Sequence, residues 1–200
     1  MLPPMPLGIV HWKQVFRERA KTARRDAHAR QPGAARHAAA HFMAGIEPKE
    51  GSAVALYHPK GDELDTAPLA EALAAAGVAV LLPVVVSKNA PLAFRLVEMD
   101  RALEPGPYGV LQPPGDAPAM RPDIVVTPLL AVRPDGARLG MGGGYYDRTL
   151  EALRADGPVE AIGYGYAAQV MERFPAVAED QFLDGFVSEQ GLTRFPRRPA

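Results

Sequence analysis

Residues 140–144 and the polar residues around them are the part of this chain whose types and spacing could do chemistry. The segment from Asp135 to Arg148 reads DGARLGMGGGYYDR, and four of the five residues 140–144 are glycines. Such a run is costly inside a helix or a strand, but it lets the backbone approach a ligand closely. If a helix starts near Tyr145, its first amides and its positive dipole end would face the same place. The pattern therefore predicts an anion-binding turn, with phosphate as the natural occupant.

Charged side chains flank this turn and fit the same chemistry. Arg138 and Arg148 could donate charge-assisted hydrogen bonds to a phosphate, and Asp147 is a hard oxygen donor suited to the Mg²⁺ that accompanies a polyphosphate. The turn is neither G-x-x-x-x-G-K-[ST], because no lysine follows the glycines, nor G-x-G-x-x-G, because Tyr145 stands at the last glycine position. A tight crossover without a ligand would also explain the glycines, but it gives these polar residues and Tyr146 no role.

Strands and helices alternate along the rest of the chain. Helical patterns cover 66–76 and 145–154, with Thr66 expected to cap the first helix and Gly77 to end it. Apolar stretches predict strands at 52–57, 78–82, 93–98, 123–127 and 159–164. This alternation implies βαβ units and a three-layer α/β/α domain. The proline-rich stretch 105–122 is interpreted as a long loop inside that domain, where long loops often line sites.

An N-terminal helical arm carries much of the positive charge. Helical patterns run from His11 to about Arg30 and from Ala34 to about Gly45, where a glycine stop is expected. Residues 1–44 hold eight lysines and arginines against two acidic residues, although the whole chain has a net charge of −1. Such an arm is typical of a nucleic-acid-binding segment, of a solvated helix that docks on an acidic body, or of cations that face a bound polyphosphate. Residues 1–10 are expected to be a flexible lead-in to one domain over 11–200.

Composition excludes several kinds of site. The chain has no cysteine, so a disulfide, a thiolate zinc site, an iron–sulfur cluster and a cysteine nucleophile are impossible. The strongest apolar run, 78–86, is too short to cross a bilayer and contains Pro83. The apolar N-terminus has three prolines and no basic residue ahead of it, unlike a signal peptide. We therefore predict a cytoplasmic protein with no membrane partner.

The segment RLGMGGGYYDR closely resembles the signature of the 5-formyltetrahydrofolate cyclo-ligase family, also called 5,10-methenyltetrahydrofolate synthetases. The similarity extends in order along the chain. Residues 13–17 resemble the family's N-terminal Lys-x-x-Leu-Arg helix, and residues 56–66 its first-strand loop, in which a glutamate faces the folate. Residues 108–113 are similar to aromatic-Gly-Ile-x-Glu-Pro, with Gln112 for glutamate, and 180–189 to the closing Asp-x-x-Leu-Asp…Thr-Glu, with Ser188 for threonine.

The resemblance implies a Rossmann-like α/β/α fold and an enzyme. The implied reaction is the ATP- and Mg²⁺-dependent conversion of 5-formyltetrahydrofolate to 5,10-methenyltetrahydrofolate through a phosphorylated formyl (iminium phosphate) intermediate, with release of ADP and phosphate. The expected partners are these two substrates, and we expect a monomer that binds no nucleic acid. Two alternatives stay open. A sugar-phosphate isomerase or coenzyme A transferase-like enzyme would need an acid–base carboxylate and no ATP. An RNA-binding protein would need aromatic residues interleaved along its basic arm, which holds only Trp12, Phe16 and Phe42.

The resemblance also implies roles for individual residues. Glu63 would accept hydrogen bonds from the N–H groups of the pterin ring. The catalytic residues would be Lys13, Arg138 and Tyr146. The residues around ATP would be Lys13, Gln14, Arg17, Arg138, Leu139, Gly140, Met141, Gly142, Gly143, Gly144, Tyr145 and Tyr146. The residues around the folate would be His58, Glu63, Tyr108 and Tyr146. The carboxylates holding Mg²⁺ would be Asp147 and Asp180, with Asp184 as the alternative to Asp180.

Overall fold

A seven-stranded sheet with helices on both faces positions these residues. The computed structural model describes residues 9–98 and 100–196. The helices are α1 (Ile9–Arg30), α2 (Ala34–Ile46), α3 (Ala67–Ala75) and α4 (Tyr145–Asp156). The strands are β1 (Ala53–Ala55), β2 (Ala79–Val84), β3 (Ala93–Leu96), β4 (Glu104–Pro105), β5 (Leu111–Gln112), β6 (Ile124–Thr127), β7 (Ala131–Val132), β8 (Arg138–Leu139), β9 (Glu160–Tyr164), β10 (Gly185–Ser188) and β11 (Gly191–Arg194).

The sheet is mostly parallel, as the sequence predicts. Its strand order is β11-β10-β9-β6-β1-β2-β3. The four inner pairs from β10 to β2 are parallel, whereas β11 and β3 pair antiparallel at the two edges. From β1 the chain crosses to β2 on one side, and β6 lies on the other side. The strand order therefore reverses between β1 and β6, and in open α/β sheets ligands bind in the crevice beyond the carboxyl ends of such strands.

Both faces of the sheet are covered by helices. Val54 packs into a cluster with Phe42 of α2 and Leu69 of α3, whereas its neighbours Ala53 and Ala55 pack into a cluster with Leu150 of α4. Alternate residues of a strand point to opposite faces, so β1 is buried on both. The predicted α/β/α layering is confirmed. Phe42 is fully buried, and truncating such a residue to alanine typically costs about 3–5 kcal/mol.

Helix α1 lies against the body of the domain through one apolar stripe. Phe16 and Ala20 pack in a third cluster with Leu139 and Phe174. Further along α1, His28 Nδ1 lies 3.0 Å from the hydroxyl of Tyr166. These contacts hold α1 beside β8, which leads into the glycine-rich turn.

The ends of two predicted helices differ from the sequence-based expectation. Helix α1 begins at Ile9, so the last two residues of the expected lead-in, Ile9 and Val10, are helical. Residues 1–8 lie outside the described residues, and for them the flexible lead-in stays a prediction. The glycine stop at Gly45 is wrong, because α2 continues to Ile46 and ends with Glu47 in the left-handed region at φ 52°. Gly45 is needed for packing instead, since a Cβ there would lie 2.7 Å from Leu192 Cδ2.

Thr66 stands at the N-cap position of α3, as predicted, but its side chain makes no capping hydrogen bond. Thr66 precedes the helix, but its hydroxyl donates to the carbonyl of Tyr57 at 2.9 Å. The carboxylate of Asp65 accepts the hydrogen bond from the Ala67 amide instead, at 3.0 Å. The Thr66 hydroxyl therefore fastens the loop after β1 to the strand, which is a tertiary contact that a local pattern does not contain.

The stretch 105–122, interpreted as a loop, contains regular structure. Strands β4 and β5 form a small hairpin, and its turn is a single 3₁₀ turn over Pro107–Gly109. A bridge between Arg95 and Ala119 ties the rest of the stretch to β3. Within the described ranges, no helix has both the length and the apolar character needed to cross a bilayer.

Candidate active site

A cleft of about 580 Å³ opens between α1, the glycine-rich turn and the loop after β1. Its size lies within the usual range for small-molecule sites. Glu63 follows β1, and Pro128 and Leu129 follow β6, so the cleft lies at the reversal point of the strand order. The predicted residues that line it are Lys13, Arg17, Glu63, Tyr108, Arg138, Leu139, Gly140, Met141, Gly142, Gly143, Gly144, Tyr145, Tyr146, Asp147 and Asp180.

The turn between β8 and α4 needs glycine at two positions. Gly142 has φ 104° and Gly144 has φ 65°, a region that side chains other than glycine rarely adopt. A Cβ on Gly144 would lie 2.6 Å from Nη1 of Arg148. Gly144 stands at the N-cap position of α4, and it has no side chain that could accept a hydrogen bond from the first amides of the helix. The first amides of α4 therefore have no acceptor within the helix, which leaves this end of α4 suited to an anion.

Two arginines hold the glycine turn in place. Arg17 Nε donates to the carbonyl of Gly140 at 3.0 Å, and Arg148 Nη2 donates to the carbonyl of Gly143 at 2.9 Å. The Arg148 guanidinium also lies over the ring of Tyr145, 5.1 Å from its centroid. Arg17 lines the cleft as predicted, but Arg148 does not. Arg148 is thus a structural partner of the turn.

Arg138 is a buried cation at the cleft. Its side chain is 4% exposed, and Nη2 lies 2.8 Å from Oδ1 of Asp147. Its guanidinium lies 5.5 Å from the ring centroid of Tyr146. Nη1 is buried and has no hydrogen-bond partner in the described part of the chain. A buried unpaired donor is unfavourable, so an anion that reached Nη1 would be a favourable partner.

The carboxylates predicted to hold a metal ion both line the cleft, and each is paired with a cation. Lys13 Nζ lies 2.7 Å from Oδ2 of Asp180 and 3.0 Å from Oδ1. Asp147 accepts hydrogen bonds from Arg138 and from the amide of Gln181, and both bonds go to Oδ1. Asp184 lies elsewhere, where its Oδ2 accepts from the amide of Ala161 at 2.8 Å.

These carboxylates fit Mg²⁺ bound together with a phosphate rather than a metal site made by protein alone. Among the residues that the structure describes, no group of three or more histidine or acidic side chains could hold an ion. Mg²⁺ usually keeps several waters and binds through one or two carboxylates plus substrate phosphates. Asp147 fits this arrangement better than Asp180, because Lys13 engages both oxygens of Asp180.

Glu63 is an acceptor that lines the cleft from the loop after β1. Its Oε2 accepts from the amide of Lys60 at 2.9 Å, and its Oε1 lies 3.5 Å from Nη1 of Arg24. Burial raises the pKa of Glu63, while the Lys60 amide and Arg24 act in the opposite direction. Burial, and next the charge of Glu63, also raise the pKa of Tyr146, which Arg138 lowers. The Tyr146 phenol therefore stays protonated at neutral pH and can donate a hydrogen bond.

Tyr108 lies at the mouth of the cleft on the turn between β4 and β5. It has φ 62°, an unusual value for tyrosine, and its side chain is exposed. Its hydroxyl lies 2.9 Å from that of Tyr145, and its carbonyl accepts from Lys60 Nζ at 2.5 Å. These contacts connect the hairpin to the glycine turn and to the loop that carries Glu63. The Tyr108 ring itself lies beside that of Tyr145, with 6.1 Å between the two ring centroids.

Two predicted residues do not reach the cleft. Gln14 follows Lys13 on α1 and is rotated by about 100° around the helix, so its side chain is exposed. His58 follows the buried Tyr57 and is half-buried, but it is not among the residues that line the cleft. The assignment of Gln14 to ATP and of His58 to the folate is therefore not supported.

Five residues that line the cleft were not predicted from the sequence. They are Arg24, Lys60, Val110, Pro128 and Leu129. A signal for Arg24 was present, because 11 residues make just over three helical turns and so place Arg24 on the same face of α1 as Lys13. For Pro128 and Leu129 no motif existed, since their place depends on where β6 ends.

The fold and the cleft define an α/β protein with a glycine-rich turn at the reversal point of a mostly parallel sheet. The chain belongs to the 5-formyltetrahydrofolate cyclo-ligase family, whose family model matches residues 9–189. The resemblance seen in the sequence is thereby confirmed.

Individual relatives agree with this family. The chain is 41% identical over 103 residues to the 5-formyltetrahydrofolate cyclo-ligase of Escherichia coli K12, covering 49% of this chain and 57% of that one. It is 34% identical over 117 residues to the Haemophilus influenzae protein of the same name, covering 56% and 62%. These alignments therefore span less than two thirds of each relative.

A solved structure resembles this fold over most of the chain. The NMR structure of Aquifex aeolicus 5,10-methenyltetrahydrofolate synthetase matches with a TM-score of 0.76 and 26% identity, covering 94% of this chain and 95% of that one. The helices and the mostly parallel sheet are thus those of this family.

Proposed function

We propose that the chain catalyses the ATP- and Mg²⁺-dependent conversion of 5-formyltetrahydrofolate to 5,10-methenyltetrahydrofolate, with release of ADP and phosphate. The observation that carries this proposal is the asymmetry of one cleft. Lys13, Arg138 and the glycine turn make up one part of its lining, called the cationic wall below, whereas Glu63 and Tyr108 belong to the part formed by the loop after β1 and the β4–β5 hairpin. A phosphate donor and a ring with N–H donors could therefore bind side by side. Family membership supports the same reaction.

The cationic wall would hold the triphosphate of ATP. Lys13 and the unpaired Nη1 of Arg138 would neutralise phosphate oxygens, and the first amides of α4 would donate to them. Arg17 would act by keeping the carbonyl of Gly140, and with it the turn, in position. Asp147, with Asp180, would hold Mg²⁺, which when bound neutralises charge that develops during phosphoryl transfer.

The part of the cleft lined by Glu63 and Tyr108 would hold the pterin ring. The Glu63 carboxylate can accept two hydrogen bonds from neighbouring N–H groups. The Tyr146 ring lies 5.5 Å from the Arg138 guanidinium, and the charge of Glu63 acts on its phenol, so the protonated phenol could donate to either substrate. Tyr108 offers a flat surface for a ring. Alignment of the two substrates is the main contribution expected of this protein, and good alignment can lower a barrier by on the order of 7–11 kcal/mol.

The reaction needs no nucleophile from the protein. The formyl oxygen on N5 attacks the γ-phosphorus, the bond to ADP breaks, and the N5 lone pair forms an iminium carbon that carries the phosphate. N10 then attacks that carbon, its proton passes to the departing phosphate, and this phosphate leaves with the former formyl oxygen. Lys13 and Arg138 would stabilise the transferring phosphoryl group, and Glu63 would keep N5 and N10 oriented.

The test is an absorbance assay for the methenyl product with purified protein, ATP and Mg²⁺. We expect product and ADP to appear in equal amounts, and only when 5-formyltetrahydrofolate and Mg²⁺ are both present. A chelator should stop both, and added Mg²⁺ should restore them. ADP release without the folate, or ADP release with no methenyl chromophore, would refute the proposed reaction. Light scattering would check the expected monomer.

A further inference from the structure

Arg24 is a buried cation that lines the cleft and has no role in the reaction proposed above. The residue is 7% exposed. Its Nη2 lies 2.6 Å from Oδ1 of Asp62, and its Nη1 lies 3.5 Å from Oε1 of Glu63. Its Nε is buried and has no hydrogen-bond partner in the described part of the chain. One guanidinium thus spans two consecutive carboxylates on the loop after β1.

The surroundings of Glu63 make Arg24 distinctive. Lys60 and Asp62 face Glu63 from its own loop, Tyr57 from the end of β1, Tyr146 from α4 and Arg24 from α1. Burial raises the pKa of both tyrosines, so they are neutral at neutral pH. Lys60 is exposed to water, which weakens its effect. Arg24 is therefore the buried cation next to the Glu63 carboxylate.

We propose that Arg24 is a positioning residue that keeps Glu63 ionised and oriented as the acceptor for the ring N–H groups of the substrate. Asp62 would anchor the guanidinium, so that Arg24 can lie beside Glu63 without leaving the loop. This inference rests on the proposed function for the identity of the ring. It assigns to α1 a role on the folate side of the cleft, in addition to the phosphate side where Lys13 and Arg17 lie.

The protonation state of Glu63 decides what it can recognise. An ionised carboxylate accepts at both oxygens, whereas a protonated one has an O–H donor that would oppose an N–H group of the ring. Burial favours the protonated form of Glu63, and Arg24 opposes this effect. Loss of the Arg24 charge should therefore weaken binding of the ring at neutral pH, and a higher pH should restore it.

The test compares Arg24→Gln with Arg25→Gln, because Arg25 is the next residue on α1 and is exposed. The Glu63 carboxyl is titrated by ¹³C NMR, with Glu63→Gln used to assign its signal. We expect Arg24→Gln to move the Glu63 titration to higher pH and to raise KM for 5-formyltetrahydrofolate about tenfold at neutral pH. KM for ATP should stay within about twofold, and the KM for the folate should recover at alkaline pH. Arg25→Gln should change none of these values.

Asp62→Asn provides a second variant that should move Glu63 in the opposite direction. The charge of Asp62 raises the pKa of Glu63, so its removal should shift the titration to lower pH, while the amide still offers an oxygen to Arg24. Unchanged Glu63 titrations in both variants, or a KM increase shared by both substrates and independent of pH, would overturn the proposal. The NMR titration needs no turnover, so failure of the proposed reaction would appear only in the absorbance assay.

Discussion

Lys13 and Asp180, which both line the cleft, form an ion pair with Nζ 2.7 Å from Oδ2, although 167 positions separate them in the chain. Both side chains are about 15% exposed. The carboxylate of Asp180 therefore binds the Lys13 ammonium, which is the group that would contact a phosphate. An incoming Mg²⁺–nucleotide could separate the pair by giving Lys13 a phosphate oxygen and Asp180 a cation.

Removal of the Lys13 charge should weaken nucleotide binding selectively. We expect Lys13→Met to raise KM for ATP by at least about tenfold, because a charge-assisted contact to phosphate is lost. KM for the folate should change little. Lys21→Met is the matched control, since Lys21 lies two turns along α1 and pairs with Glu18 outside the cleft. Equal KM changes for ATP in the two variants would contradict a phosphate-binding role for Lys13.

Asp147 is expected to have separable effects on stability and on turnover. Asp147→Ala leaves the buried Arg138 without its carboxylate, which should lower the free energy of unfolding by about 3 kcal/mol. Asp147→Asn keeps an oxygen for the hydrogen bond and should be more stable than the alanine variant. Both variants should lose Mg²⁺-dependent turnover. Chemical denaturation and Mg²⁺ titrations measure the two effects, and near-normal turnover in Asp147→Asn would remove Asp147 from the metal site.

Two glycines of the same turn should respond differently to alanine. Gly144→Ala should destabilise the protein by about 1 kcal/mol or more and raise KM for ATP, because φ is 65° and a Cβ would meet Arg148. Gly140→Ala should be tolerated, since nothing lies within 4 Å of a Cβ there and its φ is not in the left-handed region. Thermal unfolding and ATP titrations would compare them. Similar losses in both variants would mean that backbone conformation does not set the shape of the turn.

Glu63→Gln should weaken binding of the folate and should also change how the free energy of unfolding depends on pH. Burial raises the pKa of Glu63 in the folded protein above its unfolded value, so the folded state binds this proton more tightly. The stability that this provides is complete below the unfolded pKa of about 4.3 and is lost as the pH rises through the raised folded pKa. Glutamine removes this loss.

The free energy of unfolding of Glu63→Gln, relative to the unchanged protein, should therefore increase as the pH rises through that window. The same variant should bind the folate more weakly and ATP normally, because only the ring loses its ionised acceptor. Urea denaturation from pH 4 to pH 8 and KM values for both substrates measure this. A relative stability that falls with pH would show that Glu63 is stabilised as a carboxylate in the folded protein.

Local sequence was sufficient for the parts of the site that depend on backbone conformation. The glycines at 142 and 144 are required by positive φ values, and four adjacent strands alternate their side chains between two buried faces. Lys13 and Arg17 share a face because they are one helical turn apart. Strands β10 and β11 were not predicted, since each begins with glycine, a residue that is depleted in strands.

Other residues could not be placed without the tertiary structure. His58 belongs to the same matching segment as Glu63, yet the loop brings only Glu63 to the cleft. Thr66 has the right position for a cap, but the carbonyl of Tyr57 is close enough to take its hydroxyl. The sequence predicts that Arg148 contacts a phosphate, but in the structure Arg148 donates to the carbonyl of Gly143. In each case a contact between distant segments decides where the side chain points.

Three cations that line the cleft lie on α1. Ligand binding should therefore depend on whether this helix is packed against the rest of the domain. A local opening that detached α1 would carry Lys13, Arg17 and Arg24 away together and leave most of the sheet paired. Because a ligand that binds only the attached form stabilises it by mass action, nucleotide and folate should each slow hydrogen exchange in α1 beyond the residues they touch. In this protein, occupancy of the cleft and attachment of its first helix are therefore expected to be coupled equilibria.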